Sequence, residues 1–143
     1  MSKSNTLENE LLLLLFNATT MADLAENDTT TPATNLYVSL HTSDPGEAGS
    51  QATNETAYTN YARVAVARTS GGWTVATNTA TNAGAVTFPE CGATGATITH
   101  FGIGTASSGA GKLLYSGALT ASLAVANLVT PSFAAGEIDV TEE

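Results

Sequence analysis

From residue 35 onward the sequence is a succession of short apolar stretches parted by clusters of Gly, Ser, Asn and Pro, with no helical period between them. Leu36, Val38 and Leu40 alternate with Tyr37, Ser39 and His41, and Ala62, Val64 and Val66 alternate with Arg63, Ala65 and Ala67. Ser70-Gly71-Gly72 reads as a hairpin turn into a strand starting at Trp73 and Val75. Further strands are expected at Val86–Phe88, Thr97–Gly104, Lys112–Gly117, Leu119–Val125, Thr130–Ala134 and Gly136–Thr141. Eight or nine strands at such spacing predict a mainly β fold, an antiparallel β-sandwich or jelly-roll-like domain over residues 35–143. Trp73, Phe88, Phe101, Ile103, Leu114 and Val140, the large apolar members of these strands, are its expected core.

The first 34 residues differ in character. Asn5, followed by Glu8, has capping-box spacing. Leu7, Leu11, Leu14 and Leu15 fall on one face of a short N-terminal α-helix, and Leu12, Leu13 and Phe16 widen that face until the helix is apolar nearly all round. One small domain offers a single surface to bury it against. Residues 1–34 are therefore read as a helix and connector acting as an assembly arm, with Leu7, Leu11, Leu12, Leu14, Leu15 and Phe16 as the assembly interface. A further helical turn is expected near Met21–Glu26. The Leu11–Phe16 run is preceded by Glu8 and Glu10, where a secretory signal would carry positive charge, and it is far shorter than a bilayer span.

Charge limits the partners. The chain has thirteen acidic and four basic residues, a formal charge of −9, which disfavours nucleic acid and anionic membranes alike. Charged residues make up 12% of the chain against an ordinary ~25%, and Ala, Thr, Ser, Gly and Asn stand in their place. Such short side chains lose little entropy on burial, which suits a surface covered by neighbouring subunits.

No chemistry emerges from the reactive residues. His41 and His100 lie on separate strands, each read as a surface or interface histidine, and Cys91 as a buried packing thiol. Two histidines and one cysteine do not make a zinc site, and Asp28, Asp44, Glu47 and Glu55 lack the spacing of a calcium loop. His41 and Asp44 have no nucleophile elbow near them, and Asp44-Pro45-Gly46 is turn chemistry. Gly109-Ala110-Gly111-Lys112 ends like a phosphate-binding loop, but Ala106 stands where the first glycine belongs and Leu113 where Ser or Thr belongs. It reads instead as a flexible hairpin loop from Thr105 to Gly111. The expectation is a non-enzymatic protein with no catalytic residue, cofactor or metal.

Four blocks carry a resemblance: LYVSLHTSDPGEAG (Leu36–Gly49), YARVAVAR (Tyr61–Arg68), THFGIG (Thr99–Gly104) and LLYSGAL (Leu113–Leu119). In order and spacing they resemble a family of small tailed-phage virion proteins, variously labelled head-decoration (cement) or tail-fibre proteins. The resemblance implies a structural protein of the virion, assembled in the host cytoplasm. The absence of any repeat, and aromatics that fall mostly on strands with Tyr58 the main loop exception, favour a capsid decoration protein. It would bind as a homotrimer to the major capsid protein, with Asp44, Pro45, Gly46 and Glu47 as loop contacts. The alternative is a tail-tip or tail-fibre protein that contacts other tail proteins and takes part in host attachment.

Overall fold

A computed structural model describes residues 5–20 and 33–142. Their elements, in chain order, are helix α1 (Asn5–Asn17) and strands β1 (Asn35–His41), β2 (Val64–Ala67), β3 (Trp73–Ala76), β4 (Thr79–Asn82), β5 (Val86–Thr87), β6 (Ala96–Gly104), β7 (Leu113–Val125), β8 (Ser132–Phe133) and β9 (Asp139–Thr141). The chain is mainly β, with one short helix among the described residues, and the pairings β1–β6, β6–β7, β3–β4 and β4–β9 are all antiparallel. The turn expected near Met21–Glu26 lies outside the described residues.

Two compact units divide the chain. The first gathers three separate stretches: residues 1–35, 66–85 and 133–143. Its sheet has the order β3-β4-β9, and α1 packs on β3 and β4. Leu12, Phe16, Trp73, Ala80, Ile138 and Val140 are buried. Asn82 organises the polar part of this unit: Nδ2 donates to the carbonyls of Gly84 (2.8 Å) and Ala134 (2.7 Å), and Oδ1 accepts from Ile138 N (2.9 Å). At the far end of α1, Ala18 adopts a left-handed conformation (φ 53°) and Thr19 N donates back to Leu13 O (3.1 Å). The Arg68 guanidinium completes the cap, donating from Nε to Leu15 O and from Nη2 to Leu14 O, both at 2.6 Å. A cation on the last carbonyls complements the helix dipole.

The second unit comprises residues 36–65 and 86–132. Its main sheet has the order β2-β1-β6-β7, with Tyr37 opposite Gly104 and His41 opposite His100. Leu36, Val38, Leu40, Phe88, Cys91, Ile98, Ile103 and Val125 are buried.

Four expectations need correcting. Ser70-Gly71-Gly72 does form a turn, with Gly72 N and Trp73 N both donating to Thr69 O at 2.9 Å. It does not join paired strands, because β3 pairs instead with β4 across Thr77-Asn78, with Thr77 left-handed (φ 55°). Strand β4, with the sequence TATN, escaped notice because it has no large apolar residue. The stretches expected as two strands at Lys112–Gly117 and Leu119–Val125 are one strand, β7, whose register on β6 jumps from Ala118 opposite His100 to Leu123 opposite Ile98. Phe101 and Leu114 are only half-buried. A side chain on Gly117, the β7 partner of Phe101, would meet the Phe101 ring at 2.8 Å, so the ring covers that glycine rather than filling the core.

Candidate functional site

Chemistry-bearing side chains concentrate in the second unit, around the loop that leaves β1. That loop is shaped by its own polar groups. Asp44 Oδ1 accepts from Gly46 N (2.9 Å), Asn54 Nδ2 donates to Asp44 O (2.8 Å), and Thr42 N donates to Asn54 O (2.9 Å). Pro45 is buried, whereas Asp44, Gly46 and Glu47 are exposed. These three line a cleft of about 400 Å³ whose other wall is Leu113, Leu114, Tyr115 and Ser116 of β7.

A second cleft, of about 420 Å³, is lined by residues that include Glu55, Tyr58, Asn60, Tyr61, Arg63, Ser107 and Ser108. Its charges are committed to structure. Arg63 grips Glu55 with two hydrogen bonds, Nε to Oε1 at 2.6 Å and Nη2 to Oε2 at 2.7 Å, and Tyr61 Oη donates to the same carboxylate at 2.8 Å. The remaining reach of the guanidinium goes to the carbonyls of Ala106 (2.8 Å) and Gly109 (2.7 Å). The Arg63 side chain is 1% exposed, and Glu55 pushes its pKa further up. Burial raises the Tyr61 phenol well above its usual range and pushes Tyr58 up to about 12. Tyr58, expected as an aromatic presented on a loop, is in fact buried, with its hydroxyl on Pro89 O at 2.9 Å.

The loop from Thr105 to Gly111 is thereby pinned rather than flexible. Besides the two bonds from Arg63, Ala106 N donates to Gln51 Oε1 (2.9 Å), and Gly111 N donates to Gly109 O (2.9 Å). Gln51 is fully buried and donates from Nε2 to Tyr37 O (3.1 Å). A phosphate cradle needs free backbone N–H groups; here the N–H groups of Ala106 and Gly111 are taken up internally.

His41 is not at the surface. It is 0% exposed, because the loop after β1 folds back over it and supplies the Thr53 carbonyl that accepts from Nδ1 at 2.9 Å. With Nδ1 carrying the proton, Nε2 is the acceptor for Ser39 Oγ at 2.8 Å. Burial lowers the pKa of this imidazole. Serine and histidine stand at the separation of a nucleophile and its base, but both are fully buried, and a peptide carbonyl occupies the place of an orienting carboxylate. The pair packs against Gly102, where a Cβ would fall 2.7 Å from His41 Nε2 and 2.8 Å from Ser39 Oγ. His100 is half-buried, with Nδ1 2.9 Å from Thr99 Oγ1. Cys91 is buried, its Sγ 3.4 Å from Thr94 O.

Of the helix residues expected to face another chain, Leu12 and Phe16 are fully buried, and Leu11, Leu14 and Leu15 are half-buried. The Leu7 side chain lies outside the described residues. No helix among the described residues is long and apolar enough to cross a membrane.

The sequence signalled few of these arrangements. Glu55 and Gln51 belong to no motif, and Arg63, though inside the block YARVAVAR, is given no role by it; their roles arise only when the loops at 51–63 and 105–111 come together. Comparison with known proteins adds one match: the family model described as Podophage GP4 fiber I protein gp80 matches residues 2–141. No curated protein matches the chain.

Proposed function

We propose that this chain, which belongs to the podophage GP4 fiber I protein gp80 family, serves the virion as a building block of its fibre. Family membership makes it a structural protein of the phage virion. Its place within the particle is our reading, and the observation that carries it is a family description naming a fibre over nearly the whole chain. Head decoration, favoured by the sequence alone, rested on the lack of a repeat and on aromatics that fall mostly on strands; neither argues against a short fibre segment built from several copies. The partners we propose are other copies of the chain and neighbouring tail proteins. We propose no enzymatic role, a reading supported by the burial of Ser39, His41 and Cys91 and the full use of Glu55 and Arg63 in internal bonds.

The test is to label virions with a gold-conjugated antibody against the purified chain and image them. Label on fibres or the tail is the expected result. Label distributed over the capsid lattice would refute the fibre reading and restore head decoration.

A further inference from the structure

We infer that the end of the second unit formed by Leu119–Leu128 is a contact surface for a second copy of this chain. Three observations converge on it. The first is electrostatic. All thirteen acidic residues lie outside residues 91–136, a stretch whose sole Lys, Arg, Asp or Glu is Lys112. Two copies carrying −9 each repel wherever their acidic surfaces meet. The β6–β7 ribbon brings no acid of its own to such a meeting. Within it the Leu113–Ser116 end of β7 is excluded, because Asp44 and Glu47 stand across the cleft from it. The remainder, the far half of β7 and the turn after it, carries no acid of its own; Glu90, next to Cys91 that bonds Leu128 and Val129, is the acid adjoining it.

The second observation is an open edge. β7 is the last strand in the order β2-β1-β6-β7, so among the described strands only β6 pairs with it. Natural edge strands are commonly guarded by charge or proline. This one has neither over its thirteen residues. Its guard is the irregularity at residues 119–122, which face Thr99 alone. That bulge restrains indefinite strand addition while leaving Thr120–Ala124 exposed.

The third observation is Leu128. It is 71% exposed and sits in the left-handed region at φ 65°, where a leucine is strained by about 1–2 kcal/mol. Its N–H is held by Cys91 O at 2.8 Å, so the turn presents the side chain outward at a fixed place. Leu123, 37% exposed, is the other exposed large apolar side chain among the described residues. A strained, exposed leucine beside an uncharged edge fits an apolar partner lacking negative charge, and the same surface of another copy meets both conditions.

Such a contact is what a fibre building block needs and rests on that reading for its setting, yet it is measured on the purified full chain without reference to the virion. Sedimentation equilibrium over a concentration series should show reversible self-association that tightens as salt screens the acidic remainder of the surface. Leu128→Asp should weaken association at least about tenfold. Thr74→Asp adds the same charge at an exposed position of the other unit and should leave association at the wild-type level. Leu128→Gly relieves the left-handed strain, so it should weaken association with no fall in melting temperature, separating contact from folding. A chain that stays monomeric at every concentration and salt would overturn the inference. So would a Leu128→Asp variant that associates like wild type, or a Thr74→Asp variant that is equally impaired. A surface contact that fails while virion label still falls on fibres would leave the fibre reading standing; label on the capsid with self-association intact would do the reverse.

Discussion

The indole of Trp73 meets the ring of Phe16 edge to face, with centroids 4.7 Å apart and planes at 65°. Both side chains are fully buried, and the contact fastens α1 to β3. Phe16→Ala should therefore cost about 3–5 kcal/mol. Trp73 is the single tryptophan of the chain, so its fluorescence reports the loss directly in a urea titration. Its Nε1 is buried without a hydrogen-bond partner among the described residues. Trp73→Phe removes that unmet donor as well as volume, so it should cost less than Phe16→Ala.

Breaking the Arg63–Glu55 pair should be the most damaging polar change in the second unit. Arg63→Met leaves a largely buried carboxylate and releases the carbonyls of Ala106 and Gly109. A loss of about 3 kcal/mol is expected from chemical denaturation. Arg63→Lys should recover little of it, since an ammonium cannot span the two carboxylate oxygens and the two carbonyls together.

His41 should make the fold sensitive to mild acid. Its folded pKa lies below 6.5, chiefly through burial and against the opposing pull of the Thr53 carbonyl and Glu55. Below pH 6.5 the unfolded chain binds the proton more readily, so stability falls as pH drops from there towards the folded pKa and levels off beneath it. The slope in that window is at most about 1.4 kcal/mol per pH unit for one group. Denaturation at a series of pH values should show that slope in the wild type, and His41→Gln should flatten it. Equal slopes in the two proteins would show that other groups dominate.

Gly102→Ala should destabilise by about 1–3 kcal/mol, because the added methyl group meets His41 Nε2 and Ser39 Oγ at overlapping distances. Ser39→Gly in the same chain should recover part of that loss by removing one of the two obstructions. Additive losses in the double mutant would mean that the methyl is accommodated elsewhere.

Much of the strand inventory was legible because alternation survives in β1, β2 and β6, where large apolar residues mark one face. The blocks LYVSLH and THFGIG, read separately in the sequence, are adjacent strands, with Leu40 opposite Phe101 and Ser39 opposite Gly102. Two of the glycines in and beside these blocks leave room for buried polar side chains, Gly102 for His41 and Ser39 and Gly104 for Gln51. Strand β4 was not legible, because Thr and Asn carry no periodic signal and its place is fixed by pairing with β3 and β9. The burial of His41 was hidden for a different reason: alternation assigns a face to a side chain but cannot say that a later loop will cover it. Arg63 and Glu55 likewise meet through loop closure, which no local spacing encodes.

The first unit is assembled from the beginning, the middle and the end of the described chain. During synthesis, the second unit has all its residues once position 132 has left the ribosome, whereas the sheet under α1 still lacks β9, which ends at Thr141. The apolar face of α1 is consequently made well before the strand that completes the sheet beneath it. A chain broken off before β9 would leave the strands under that greasy helix without their last partner, a mark by which cellular proteases and chaperones can distinguish unfinished subunits from those ready to enter a virion.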